Sequence, residues 1–112
     1  MMNKKLLAQE PFLRLLARSG SKRRKRLLQQ ASKDELTSLF EICLNIIRGN
    51  IPLNSTHYKK LKRHRTLLRT LGDKSVSLQR KKRLVNQKGG AIGTVVGTIA
   101  SLVLPLLSRL IK

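Results

Sequence analysis

The 112-residue chain is poor in the residues that carry most protein chemistry. It has no Trp, one Tyr and two Phe, so a single-stranded nucleic acid would find little on which to stack its bases. The one cysteine, Cys43, excludes an internal disulfide and a cysteine zinc site. It falls on an apolar helical face, where a small buried hydrophobe is expected. The two histidines, His57 and His64, have no Cys or carboxylate at ligand spacing and are expected to face solvent and hold no metal. Acids number five, and Asp34, Glu35 and Glu41 lie along one helix. No Ser or Thr has a base with an orienting partner. Gly89-Gly90 is followed by apolar residues rather than Lys and a hydroxyl, so it is no phosphate loop. Neither an enzyme nor a cofactor is expected. The opening Lys4-Lys5 and leucines begin like a secretory leader, but Glu10, Pro11 and Arg14 interrupt the apolar run, so secretion is not expected.

What the chain has is positive charge. Lys and Arg number 25, giving a formal net charge of +20. Such an excess repels itself in one body and calls for a polyanion or an anionic surface. Three runs carry it: Lys22, Arg23, Arg24, Lys25 and Arg26; then Lys59, Lys60, Lys62, Arg63, Arg65 and Arg69; then Arg80, Lys81, Lys82 and Arg83. Leucine-bearing stretches separate them, as expected of helices laid against phosphate. No zinc finger, zipper or aromatic sheet motif accompanies them, so backbone contact without base readout is the expectation. Double-stranded DNA is the first partner, RNA the second and anionic lipid the third.

The periodicity is helical throughout. In "SKDELTSLFEICLNIIRGN", Ser32 and Glu35 have capping-box spacing, and Leu36, Leu39, Phe40, Cys43, Ile46 and Ile47 repeat at three and four residues. Gly49 or Asn50 closes this helix in a left-handed conformation. Asn54 or Ser55 caps the next, whose apolar face is Tyr58, Leu61, Leu68 and Leu71. Ser21 is the expected cap of the first basic run, and Asp73 or Ser75 restarts the chain before the last. The fold class expected is all-α: short basic helices, a small helical hairpin over residues 32–71, part of the chain disordered, and an apolar C-terminal helix. Three regions are expected: 1–31, 32–88 and 89–112. So small a core favours self-association through the helix at 32–48.

From Ala91 to Ser108 no residue is charged. A spanning helix needs about 20 predominantly apolar residues, and this stretch just reaches that length if Arg109 and Lys112 reach out of the lipid. Gly89, Gly93, Gly97 and Ser101 recur every four residues, a spacing that lets helices approach closely in a membrane. The expected membrane-facing set is Gly93, Val95, Val96, Gly97, Ile99, Leu102, Val103, Leu104, Leu106 and Leu107. The alternative is a buried core helix.

A basic body, a Gly-Gly junction and a glycine-bearing apolar end, with "NQKGGAIG" at the border, resemble adenovirus core protein X, the precursor of mu. In layout they are closer still to the X-like proteins of adintoviruses and Maverick/Polinton elements. The resemblance covers roughly residues 59–112 and leaves the helix at 32–48 outside it. It implies a viral core protein of the virion and host nucleus that condenses double-stranded DNA without sequence preference. It also implies a viral protease cutting after Gly89-Gly90, before Ala91, to release a membrane-active segment. The rival expectation is a tail-anchored or membrane-lytic basic protein on an intracellular membrane, with no nucleic-acid role.

Overall fold

The computed structural model describes residues 8–111, with the side chains of Gly89 and of residues 107–111 outside the description. Among the described residues seven helices follow one another: α1 Glu10–Arg18, α2 Ser21–Gln30, α3 Lys33–Ile47, α4 Ser55–Arg63, α5 Arg65–Gly72, α6 Leu78–Gln87 and α7 Gly89–Ile111. The fold is all-α, and the described residues contain no strand. They contain no long irregular stretch either, so the disorder expected for part of the chain is not found among them.

The local signals explain most boundaries. Ser32 Oγ accepts from Glu35 N at 3.1 Å while Glu35 Oε1 accepts from Ser32 N at 2.8 Å, which satisfies two orphan amides of α3. At the other end Gly49 takes φ +75°. Asn50 N then reaches Asn45 O at 2.9 Å and Gly49 N reaches Ile46 O at 3.1 Å, the paired bonds of a Schellman turn. Asn54 Oδ1 caps α4 through His57 N. One expected cap is corrected: Gly20, not Ser21, precedes α2. Asp73 and Ser75 form a turn where the chain was expected to restart, and Ser77 caps α6.

The hairpin over residues 32–71 forms where α3 packs on α5, but its second arm is two helices. His64, at φ −116° and ψ 27°, ends α4 and starts α5. The break turns Tyr58 off the apolar face, and it is 53 % exposed. Gly72 lets α5 approach α3 closely: a Cβ there would stand 2.9 Å from Leu44 N.

The core is built around α7. Ile92, Val95, Val96, Ile99, Ala100 and Val103 are buried, and α1, α2, α3, α4 and α6 all pack on this helix. Its exposed positions, Gly90, Thr94, Ser101 and Pro105, form one stripe at helical spacing. Buried Thr98 satisfies its hydroxyl on Thr94 O at 2.8 Å. The three expected regions are therefore one body with a radius of gyration of 12.7 Å. The apolar face of α3 is spent inside it, leaving Ile47 as the exposed large hydrophobe of that helix.

Candidate nucleic-acid interface

Consecutive residues of a helix point about 100° apart, so no run of four or five cations faces one way. In α2, Leu28 is buried beside Val85 of α6, and Arg24, one turn earlier, lies on the same stripe. Its guanidinium turns inward. Nε donates to Leu16 O at 2.7 Å and Nη2 to Ala17 O at 3.4 Å, covering carbonyls left open in the last turn of α1. Nη1 donates to Gly93 O of α7 at 3.1 Å. Gly97 makes this possible, since a Cβ there would overlap the guanidinium. Gly93 faces Ser21 of α2 at ordinary contact distance. Within the chain, then, the glycine spacing seats α2 and its arginine on α7.

The same logic removes Lys81. It lies three residues after Leu78 and four before Val85, on the inward stripe of α6, and is 7 % exposed. Its Nζ stands 5.0 Å from the Phe40 ring centroid. Burial holds its pKa below the ordinary lysine value, with Cys43 and Asp73 acting in the opposite sense. Arg24 and Lys81 are thus corrected out of the expected phosphate-contacting set. Both lie on an apolar stripe readable in the sequence, and that was the signal to exclude them.

The rest of the set is at the surface. Lys22, Arg23 and Arg26 are exposed on α2, with Lys25 half-buried; Arg80, Lys82 and Arg83 are exposed on α6. Lys59, Lys60, Lys62 and Arg63 are exposed on α4, as are Arg65 and Arg69 on α5. The structure brings the first and third runs together: α2 packs beside α6, and Gln29 Nε2 donates to Asn86 Oδ1 at 2.7 Å across the pair. The middle run sits on helices packed against α7 and α3. Ion pairs among the described residues are Arg14–Glu10 and Lys74–Glu41, so no member of the three runs is neutralised by a carboxylate. Exposed Lys33, Arg48 and Lys74 lie outside the runs and add to the same positive surface.

The remaining chemistry is sparse. Cys43 is fully buried, and desolvation pushes its thiol up to about 12. His57 is half-buried with Nδ1 enclosed and unbonded, so it does not face solvent as expected. Among the described residues no cluster of three or more His, Cys, Asp or Glu side chains converges. Gly89 and Gly90 open α7 just after Lys88, whose N–H closes α6 on Leu84 O and whose carbonyl accepts from Ile92 N. The bend between the two helices is 113°. No single helix among the described residues is long and apolar enough to cross a membrane, although α6 and α7 together satisfy length and composition as a bent pair.

No protein-family model, curated protein or solved structure matches this chain.

Proposed function

We propose that this protein is a nucleic-acid-condensing core protein of viral type, which binds duplex DNA through phosphate contacts and without sequence preference. The observation that carries the reading is the set of exposed cations on α2, α4, α5 and α6, none paired with a carboxylate, on a chain of net charge +20. Each such cation placed on a phosphate releases a condensed counterion, and that release supplies affinity without reading bases. Tyr58 is the one strongly exposed aromatic, which favours backbone contact over base stacking. The resemblance to core protein X supports the same class of role.

In this reading α7 is the structural centre before it is anything else. Membrane activity of residues 91–112 would require Ile92, Val96 and Ile99 to leave the core. Cleavage between Gly90 and Ala91 is a step that would free them, and Gly90 is exposed. The bundle would then lose its central helix, so release and unfolding are one event.

The test uses the full chain. Replacing Lys22, Arg23, Arg26, Lys82 and Arg83 together by Gln removes exposed charge from the paired α2–α6 surface. Duplex affinity is expected to fall by at least about tenfold at about 0.15 M salt, equally for two unrelated sequences. An unchanged affinity with the fold intact would rule out this surface. A loss confined to one sequence would replace phosphate contact with base readout.

A further inference from the structure

The end of α3, the connector after it and the broken arm α4–α5 enclose a cleft of about 240 Å³. Its floor is apolar: Ile46, Leu61 and Leu68 are buried there, and Leu53 is half-buried. Two large apolar groups at its edge are left uncovered, Ile47 at 41 % exposed and Tyr58 at 53 %. Of the three exposed large hydrophobes among the described residues, two therefore meet at one place. Ile47 is backed by α5, since its Cδ1 lies 3.1 Å from the point where a Cβ on Gly72 would stand. A second cleft of about 370 Å³ adjoins the first, because Ile47 and Arg69 line both.

The rim is cationic. Lys62, Arg65 and Arg69 line the first cleft, and no carboxylate does. Lys62 Nζ stands 5.9 Å from the Tyr58 ring centroid, at the limit of a cation–ring contact. Arg48 and Lys74 line the second cleft, where Asp73 is the one carboxylate. Glu41 stands 3.9 Å from Lys74 Nζ. With Asp73 and Glu41 both counted as full anions, five cations meet two carboxylates, an excess of three positive charges. The other three acidic side chains do not redress it. Glu10 is held by Arg14 on α1, and Asp34 and Glu35 lie in the first turn of α3, about 18 Å along the helix from Ile47.

An occupant has to satisfy both the floor and the rim. A second copy of this chain would set the same cations against themselves. Duplex DNA matches the rim, but its bases are stacked inside and bring little to cover Ile47 and Tyr58. Each cleft is short, the first holding the volume of roughly eight waters, and Ile47 borders both. That arrangement fits separate side chains spaced along a polypeptide better than a continuous acyl chain. We propose that this surface binds an acidic polypeptide segment carrying apolar side chains. The apolar side chains cover Ile47, Leu53 and the Tyr58 ring, and the carboxylates meet Lys62, Arg65 and Arg69. The bound segment thereby occupies part of the middle cationic run. The proposal does not rest on DNA binding.

The experiment uses the full-length protein and a peptide of about twelve residues, free of aromatics, with two leucines at i and i+4 among Glu and Asp. Tyr58 is the one tyrosine of a chain without tryptophan, so its fluorescence reports this surface alone, and nuclear magnetic resonance of the Ile47 methyls gives a second reading. Saturable changes in both are expected. Replacing the two leucines of the peptide by serine is expected to weaken binding at least about tenfold, because the apolar floor is then left uncovered. Ile47→Ser, at an exposed position, is expected to weaken it about fivefold. Lys62→Glu with Arg65→Glu is expected to weaken it at least about tenfold. Circular dichroism checks that each variant is folded. Absence of saturation, or equal binding of the serine peptide, would leave only unspecific charge attraction and overturn the site. Equal binding by folded Ile47→Ser, or by the folded double charge reversal, would place the peptide elsewhere. Vesicles with anionic headgroups that shift Tyr58 and Ile47 at lower concentration than the peptide would replace the polypeptide by a membrane surface. A dimer in sedimentation that dissociates in Ile47→Ser would replace it by a second copy of the chain.

Discussion

At Gly97 the missing side chain has a specific job, and the expected energetics change sign with its neighbour. Alanine normally gains up to about 1 kcal/mol over glycine inside a helix. Here its Cβ would displace the Arg24 guanidinium from three carbonyls, and charged hydrogen bonds are worth about 1.5–3 kcal/mol each. Gly97→Ala is therefore expected to destabilise by about 2 kcal/mol in the native background and to be neutral or stabilising beside Arg24→Ala. Gly93→Ala, at ordinary contact with Ser21, is expected to cost little. Urea unfolding of the four-variant cycle checks this. Equal costs for Gly97→Ala with and without Arg24 would show that the arginine does not occupy this seat. Cys43 carries a pH prediction. Its folded pKa is raised from 9.0 to about 12, so its contribution is fully present below pH 9.0 and is lost as pH rises through the folded value. Lys81 acts oppositely, because its depressed value makes charging it in the fold a cost that lifts as pH climbs toward 10.5. The stability gap between the native chain and Cys43→Ala is expected to hold up to pH 9.0 and to narrow above it, toward about 12, in unfolding curves. A gap that widens there would contradict the buried, protonated thiol.

Among the helices, α3 was the most legible from sequence, because its signals are local. The Ser32–Glu35 box, the apolar repeat and the Gly49 turn all act within a few residues. Where the reading fell short, the deciding partner was remote in sequence. The split at His64 follows from α4 and α5 packing on different neighbours, which no local spacing encodes. Arg24 and Lys81 stand in dense cationic runs along the chain, whereas the helical stripe decides which way each points. A charge-free stretch such as 91–108 suits lipid and a protein core equally. The exposed stripe of α7 is built of Gly90, Thr94, Ser101 and Pro105, so an amphipathic core helix looks uniformly apolar. Two predictions belong at this scale. Gly72→Ala is expected to cost about 1–3 kcal/mol by pushing α5 from α3, read as a lowered denaturation midpoint. A chain ending at Gly90 is expected to lose its cooperative unfolding transition, since the side chains packed on α7 would face water. A cooperatively folded fragment, seen by circular dichroism on heating, would show that α7 is dispensable and restore it as an independent tail.

For the molecule as a whole, the architecture settles a conflict posed by composition. A chain this basic resists collapse, yet α7 supplies a charge-free axis around which the basic helices bury their leucines and turn most of their cations outward. The result is a small body with positive surface on several of its helices, and the proposed role is to bridge neighbouring duplexes with it. The most direct measurement of that claim is the affinity of the full chain for two unrelated DNA duplexes across a salt series. If roughly six to ten phosphates are neutralised, log K falls against log salt with a slope of about −5 to −9, the same for both sequences. A slope near zero, or an affinity that survives high salt on one sequence alone, would contradict the account.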